Sequence, residues 1–301
     1  MNKAEKKHLW LGLALIIGAF VYWFLPLDHT LLVVANIAFW IGNIMFFDFL
    51  SNYYGGYSLL NTPNRRKHFL ILGALYGILL ELTAHWIGKL WYYPYWSDIK
   101  FLIILIPGFA FYVFYLMETF LGTKAVLEYI FLKRRSKKSF KGLVWFFEVF
   151  GLLGSAGLAA VTALVLTKVP SFKSYGAFFS TNYAVNLPQS FFVYLLLGSL
   201  FLWLFLEYVE FRKHETSLLY ELMRKNPYPL LAVFISGWVA GTIYEVFNLP
   251  GGLWRYSNWP LTGVSVLGVP LIIIFAWPLH YLPAFSLYRI LFKKESEKLW
   301  E

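Results

Sequence analysis

Eight stretches of about 20 apolar residues, nearly free of charge, constrain this chain more than any other feature of its sequence. They run over residues 9–27, 31–50, 68–88, 99–121, 143–166, 191–211, 229–247 and 264–282. Each is long enough to cross a bilayer as a helix, the form in which a segment satisfies its own backbone polar groups. Only 14% of the 301 residues are charged, against about 25% in an average soluble domain. The gaps between stretches are too short for a soluble catalytic domain. The expected fold is an all-α polytopic membrane protein with eight transmembrane helices.

An even number of spans puts both termini on one side. The basic segments 3–7, 65–67, 133–141, 212–225 and 289–298 then share that side, and the opposite side holds Lys89, Lys100, Lys168, Lys173 and Arg255. The positive-inside rule makes the termini cytoplasmic and the protein a multi-pass resident of the cell membrane. The first stretch follows basic residues, as a signal peptide does. Tyr22, Trp23 and Phe24 make a poor cleavage site, so a retained anchor is expected.

The stretches also repeat. Gly73, Gly77, Glu81 and His85 follow one another at four-residue steps in the third, and Gly237, Gly241 and Glu245 do so in the seventh, at an offset of 164. The second copy then lacks one residue, and the match resumes at 163. Trp91, Tyr93, Trp96 and Pro107 correspond to Trp254, Tyr256, Trp259 and Pro270, with His85 opposite Asn248. The expected organisation is two parallel four-helix repeats, residues 1–132 and 143–301, joined by a basic cytoplasmic linker, 133–142. Repeats of four spans enter the membrane in the same sense, so equivalent residues lie at equal depth.

Residues four apart share one helical face. The glycines let a neighbouring helix approach, and packing alone explains them. The glutamates are different. Glu81 lies about 17 Å along the helix from Leu70, inside the hydrocarbon, where an ionisable group is costly unless paired or protonated. If the two helices line the interface between the halves, Glu81 and Glu245 converge on one polar site, with His85 and Asn248 as partners. Such a pair suits proton transfer to an alkene.

The alternative is structural: each glutamate accepts hydrogen bonds from the indole or phenol of its own Trp-x-Tyr loop and fixes the helix end. Likewise Trp91, Tyr93, Trp96, Trp254, Tyr256 and Trp259 either belong to an interfacial aromatic belt or line a site whose ring faces stabilise a cation. Asp48, Glu118, Glu148 and Glu207 fall near cytoplasmic span ends, where snorkelling or pairing with basic loops is expected. Asp48 and Glu207 occupy comparable places and form a second, weaker candidate site. His280, Asn36 and Asn43 are further polar residues within the spans.

Several chemistries find no residues to carry them. The absence of cysteine removes thiolate chemistry and leaves the redox compartment open. There is no phosphate-cradling Gly-rich loop, no Gly-x-Ser-x-Gly elbow and no histidine box for di-iron oxidation, and the six histidines are dispersed. No metal, cofactor or nucleic acid is expected. The expected partners are the bilayer and a hydrophobic lipid, and the oligomeric state stays open.

The stretch from Glu245 through Asn248 and Gly251 to Trp254 and Tyr256, followed by Gly268, Val269, Pro270 and then Trp277, resembles the integral membrane carotenoid-modifying proteins. These are the bacterioruberin-type hydratases and, more distantly, the small lycopene cyclases. The segment from Glu81 to Trp91 and Pro107 is similar to the same unit, more loosely. The resemblance implies an isoprenoid substrate and carboxyl-mediated alkene protonation, in a hydration (lyase) or an isomerisation or cyclisation reaction. The cyclases' Pro-x-Glu-Glu/Asp motif is absent, since Gly108, Phe109 and Ala110 follow Pro107, and Leu271, Ile272 and Ile273 follow Pro270. A rival reading is a non-enzymatic protein that binds or transports a lipid or small cation through the same interface.

Overall fold

A computed structural model describes residues 3–25, 28–60, 63–96, 98–131, 143–168 and 187–292. The linker 133–142 lies outside the described residues. The helices are α1 (Lys3–Phe20), α2 (His29–Tyr53), α3 (Pro63–Leu80), α4 (Asp98–Ile130), α5 (Leu143–Lys168), α6 (Gln189–His214), α7 (Leu218–Met223), α8 (Tyr228–Asn248) and α9 (Leu271–Leu291). A short 3-10 turn, Val21–Phe24, follows α1, and α3 continues as a π-helix, Glu81–Ile87.

All of these except α1 and α7 are long and apolar enough to cross a membrane, α3 together with its π-helical end, which makes seven among the described residues. The protein is all-α and multi-pass. Helix α1, 18 residues long, carries too much charge to join them, because Lys3, Glu5, Lys6 and Lys7 occupy its first turns. It still packs against α2, where Gly12 and Gly42 face each other's backbone closely enough that a Cβ on either would lie 2.9 Å from the other's carbonyl oxygen.

Packing follows one order in both halves. Helix α1 lies on α2, α2 on α4 and α3 on α4; α5 lies on α6, α6 on α9 and α8 on α9, with α4 against α8 joining the two sets. The shared core is aromatic: Phe39 stacks on Phe247 with centroids 4.8 Å apart, and Tyr115, Tyr281 and Phe285 are fully buried. Helices α5 and α6 bury little of their spans, 17% and 11%, and turn broad apolar faces outward.

The glycine stripes pack as their spacing requires. A Cβ on Gly77 would lie 2.1 Å from the Phe109 ring, and one on Gly241 would lie 2.3 Å from the Trp277 ring. Gly73 abuts Ala110 in the same way that Gly237 abuts Pro278. These contacts pair Phe109 with Trp277 and Ala110 with Pro278, an offset of 168. The expected match of Pro107 with Pro270 is thereby corrected: Pro107 lies inside α4, whereas Pro270 caps α9. A hairpin, β3 (Ser265–Val266) with β4 (Val269–Pro270), precedes α9, and no such hairpin precedes α4 among the described residues.

The earlier change from 164 to 163 also has a structural cause. A π-helical turn holds one residue more than an α-helical one. The segment Glu81–Ile87 is π-helical while α8 stays α-helical to Asn248, which matches the one-residue difference in spacing. Beyond it, β1 (Trp91–Tyr92) pairs antiparallel with β2 (Arg255–Tyr256), Trp91 opposite Tyr256 and Tyr92 opposite Arg255. Lys89, in a left-handed conformation (φ 47°), turns its carbonyl toward Ser257 Oγ (2.5 Å) and Asn258 Nδ2 (2.8 Å), both of which donate to it. The two aromatic loops are therefore one unit.

Three of the acids near the other helix ends accept hydrogen bonds from residues of neighbouring loops. Ser58 Oγ and the Asn52 amide donate to Asp48, whose other oxygen meets His8 Nδ1. Glu118 accepts from the Leu59 and Leu60 N–H groups at 2.8 and 3.2 Å. Glu207 accepts from the Leu219 N–H and the Trp203 indole, each at 3.0 Å. Glu118 and Glu207 thus take backbone and indole donors in place of the expected snorkelling or pairing with basic loops, whereas Asp48 meets His8 and Glu148 pairs with Arg212 at 2.6 Å. Ser58, Leu59 and Leu60 stand 159 residues before Ser217, Leu218 and Leu219, the same offset that relates Asp48 to Glu207.

Candidate functional site

Glu81 sits at the start of the π-helical segment and is buried. Its Oε2 lies 2.6 Å from His85 Nδ1, one turn on. Its Oε1 accepts from the Tyr93 hydroxyl at 2.7 Å and the Trp91 indole at 3.2 Å, and that indole also reaches the Tyr93 oxygen at 3.1 Å.

Glu245 repeats the arrangement near the end of α8. The Tyr256 hydroxyl donates to Oε1 and the Trp254 indole to Oε2 at 3.3 Å, with the indole again 3.1 Å from the tyrosine oxygen. The third donor differs. Trp277 Nε1, from α9, reaches Oε1 at 3.1 Å. The corresponding residue of α4, Phe109, has no polar atom, and at Glu81 the imidazole of His85 takes that part.

Burial and the adjacent carboxylates push the Tyr93 and Tyr256 phenols well above their usual value, so both remain protonated and donate. Each glutamate is therefore held by its own Trp-x-Tyr loop. The structural alternative drawn from the sequence holds for this geometry, and it does not remove the carboxyls from a shared space. Glu81 and Glu245 both line one cavity of about 810 Å³, walled by Trp91, Tyr93, Trp96, Trp254, Tyr256 and Trp259 among others. Leu79 and Leu166, in the same wall, are 43% and 62% exposed, so the cavity reaches the apolar flank of the helices.

His85 and Asn248 do not line that cavity. His85 stands behind Glu81, fully buried. Asn248 does different work from His85 despite the sequence match. Its amide donates to the Trp254 carbonyl (2.8 Å) and its Oδ1 accepts the Trp254 N–H (3.3 Å), which closes the loop, and it borders a separate cavity of about 440 Å³ behind that loop.

Deeper in the main cavity lie Tyr76, Tyr112, Tyr244, Trp277 and His280. The Tyr112 hydroxyl and His280 Nε2 are 2.8 Å apart, and Tyr76 donates to the His280 carbonyl at 2.6 Å. The Tyr244 ring stacks on Trp254 with centroids 4.7 Å apart. Sequence reasoning reaches Trp277 only through the resemblance, because the hairpin before α9 shifts its register, and passes over Tyr112 and Tyr244, because tyrosine is too frequent, at 21 residues, to single out. No group of acids and histidines suited to a metal ion occurs among the described residues. The arrangement offers two oriented carboxyls, an imidazole in contact with one of them, and aromatic faces around an apolar volume.

No protein-family model, curated protein or solved structure matches this chain.

Proposed function

We propose that this protein is an integral membrane enzyme that protonates a carbon–carbon double bond of an isoprenoid hydrocarbon of the carotenoid type. The observation that carries this reading is that Glu81 and Glu245, each oriented by neutral donors, line a single aromatic-walled cavity large enough for part of a polyene. The likeness of the segment around Glu245 to carotenoid-modifying proteins supplies the substrate class.

Glu81 is the acid, since the imidazole at 2.6 Å can reload it. Its O–H proton passes to one alkene carbon, the π electrons form the new C–H bond, and a carbocation and a carboxylate remain. The faces of Tyr112, Tyr244, Trp254 and Trp277 stabilise the cation. Water then adds to the cation, and the oxonium proton goes to a carboxylate, with Glu245 as partner. Loss of a neighbouring C–H proton instead would give an isomer.

The chain is read as two four-helix repeats with eight spans and cytoplasmic termini. The recurring packing order, the paired glycine contacts and the twofold Glu-Trp-Tyr arrangement support it. Tyr112 and His280 support it too, because residues related by one offset touch each other only near the axis that relates them. The β1–β2 pair places both aromatic loops at the same end, which this reading makes the outer face.

The test is product analysis in a host that supplies carotenoid precursors. Cells carrying the intact protein should accumulate a hydrated or isomerised polyene, and Glu81→Gln and Glu245→Gln should abolish it at equal protein levels. An unchanged lipid profile in all three would remove the enzymatic reading and leave lipid binding or transport.

A further inference from the structure

The deep end of the main cavity holds a histidine that the carboxyl arrangement does not use. His280, midway along α9, is half-buried and lines the cavity. Its ring makes one hydrogen bond among the described residues, between Nε2 and the Tyr112 hydroxyl at 2.8 Å. Nδ1 makes none and is not enclosed by protein, so the half-buried ring presents it to the cavity. Tyr76 donates to the His280 backbone carbonyl at 2.6 Å, and Trp277 lies one turn away with its ring centroid 4.9 Å from the imidazole. The Trp277 indole also reaches Glu245 at 3.1 Å. His280 and the Glu245 carboxyl are thus one indole apart.

A neutral imidazole has one N–H and one acceptor nitrogen. Tyr112 decides which is which. Its hydroxyl has no partner but Nε2 among the described residues, and only by donating there does its proton find an acceptor. Nε2 then carries no hydrogen, and Nδ1–H faces an apolar space as a donor without an acceptor. A hydrocarbon offers this N–H nothing. An alcohol accepts from it but brings an O–H of its own, which must find an acceptor in a largely apolar wall. A carbonyl accepts and brings no donor. We infer that His280, oriented by Tyr112, is the recognition site for a carbonyl group, and that the preferred occupant of the cavity is an isoprenoid whose chain carries a ketone or aldehyde. The anchored oxygen fixes which double bond comes to the carboxyls beyond Trp277. This deepens the proposed function and rests on its reading of the cavity as the seat of an isoprenoid chain.

The experiment is native mass spectrometry of the full-length protein in detergent, at mildly alkaline pH, with hexahydrofarnesylacetone and pristane as probes. Both are saturated isoprenoids of equal chain length, and a methyl group in pristane replaces the ketone oxygen. The ketone should bind about threefold to tenfold more tightly than pristane, the range expected of one hydrogen bond made in an apolar site, and more tightly than the alcohol formed by its reduction. The double variant Tyr112→Phe, His280→Phe, which leaves no orphaned partner, should bind ketone and pristane equally. In unaltered protein isotope-labelled at its histidine ring nitrogens, the ketone and not pristane should shift an Nδ1–H signal in magnetic resonance, since His280 is the one histidine among the described residues that lines the cavity. Equal affinities for ketone and pristane in the unaltered protein would overturn the inference without touching the cavity reading. A preference for the alcohol would overturn the carbonyl assignment. A ketone that shifts no Nδ1–H signal, or a double variant that keeps the ketone preference, would overturn the role of His280. Failure of every probe to bind would overturn the cavity reading and this inference together.

Discussion

The Tyr112 hydroxyl and His280 Nε2 satisfy each other at 2.8 Å between α4 and α9, their rings parallel within 12°. Removing one partner leaves the other buried without its bond, which costs about 1–3 kcal/mol. His280→Phe should lower the stability of the full-length protein by that amount in thermal unfolding. The double variant Tyr112→Phe, His280→Phe should cost less than the sum of the two single changes, because no orphaned group remains.

The matched glycines make a contrasting prediction. Gly77→Ala and Gly241→Ala would drive a methyl group into the Phe109 and Trp277 rings, whereas Gly18 has no atom within 4 Å of its would-be Cβ. Overpacking of this kind costs about 1–3 kcal/mol. The first two variants should unfold at lower temperature, and Gly18→Ala should be neutral or slightly stabilising through helix propensity. Since Trp277 also donates to Glu245, Gly241→Ala should in addition reduce product formation per folded molecule.

Tyr93 and Tyr256 set the alkaline limit of the loop unit. Their folded-state phenols titrate well above the ordinary value, which is about 10 in an unfolded chain. The unfolded state therefore releases these protons first as pH rises. Their contribution is complete below about pH 10 and declines above it. Stability measured by denaturant should be flat from neutral pH toward 10 and then fall, and Tyr256→Phe should be less stable at neutral pH with a shallower alkaline decline.

Arg289 and Glu210 form a buried ion pair at 2.5 Å, 2% and 0% exposed. Breaking a buried pair by removing one partner costs about 3–5 kcal/mol, more than the pair itself contributes relative to an apolar replacement. Arg289→Met should therefore be severely destabilised in thermal unfolding. Adding Glu210→Leu should recover much of the loss.

Much of the candidate site is legible in the sequence because its residues recur there at matched spacing. Glu81, Trp91 and Tyr93 stand against Glu245, Trp254 and Tyr256 at nearly constant offset, and the structure gives both sets the same hydrogen bonds. His85 and Asn248 are also aligned in sequence, yet one touches a carboxylate and the other a backbone. Their roles depend on whether the helix end is π- or α-helical, a choice made by packing. Trp277 enters the sequence reading only through the resemblance and not as a matched residue, because the β3–β4 hairpin displaces it from the register set by the loops.

What the sequence by itself determined is the local and the periodic: apolar stretches that must become helices in lipid, glycines on one face, and carboxyls too costly there to be incidental. Only the tertiary structure decided which groups meet. The pairing of Trp91 with Tyr256 and the third donor on Glu245 join segments far apart in the chain. Such contacts arise from how helices close around one another, and no spacing within a single segment encodes them.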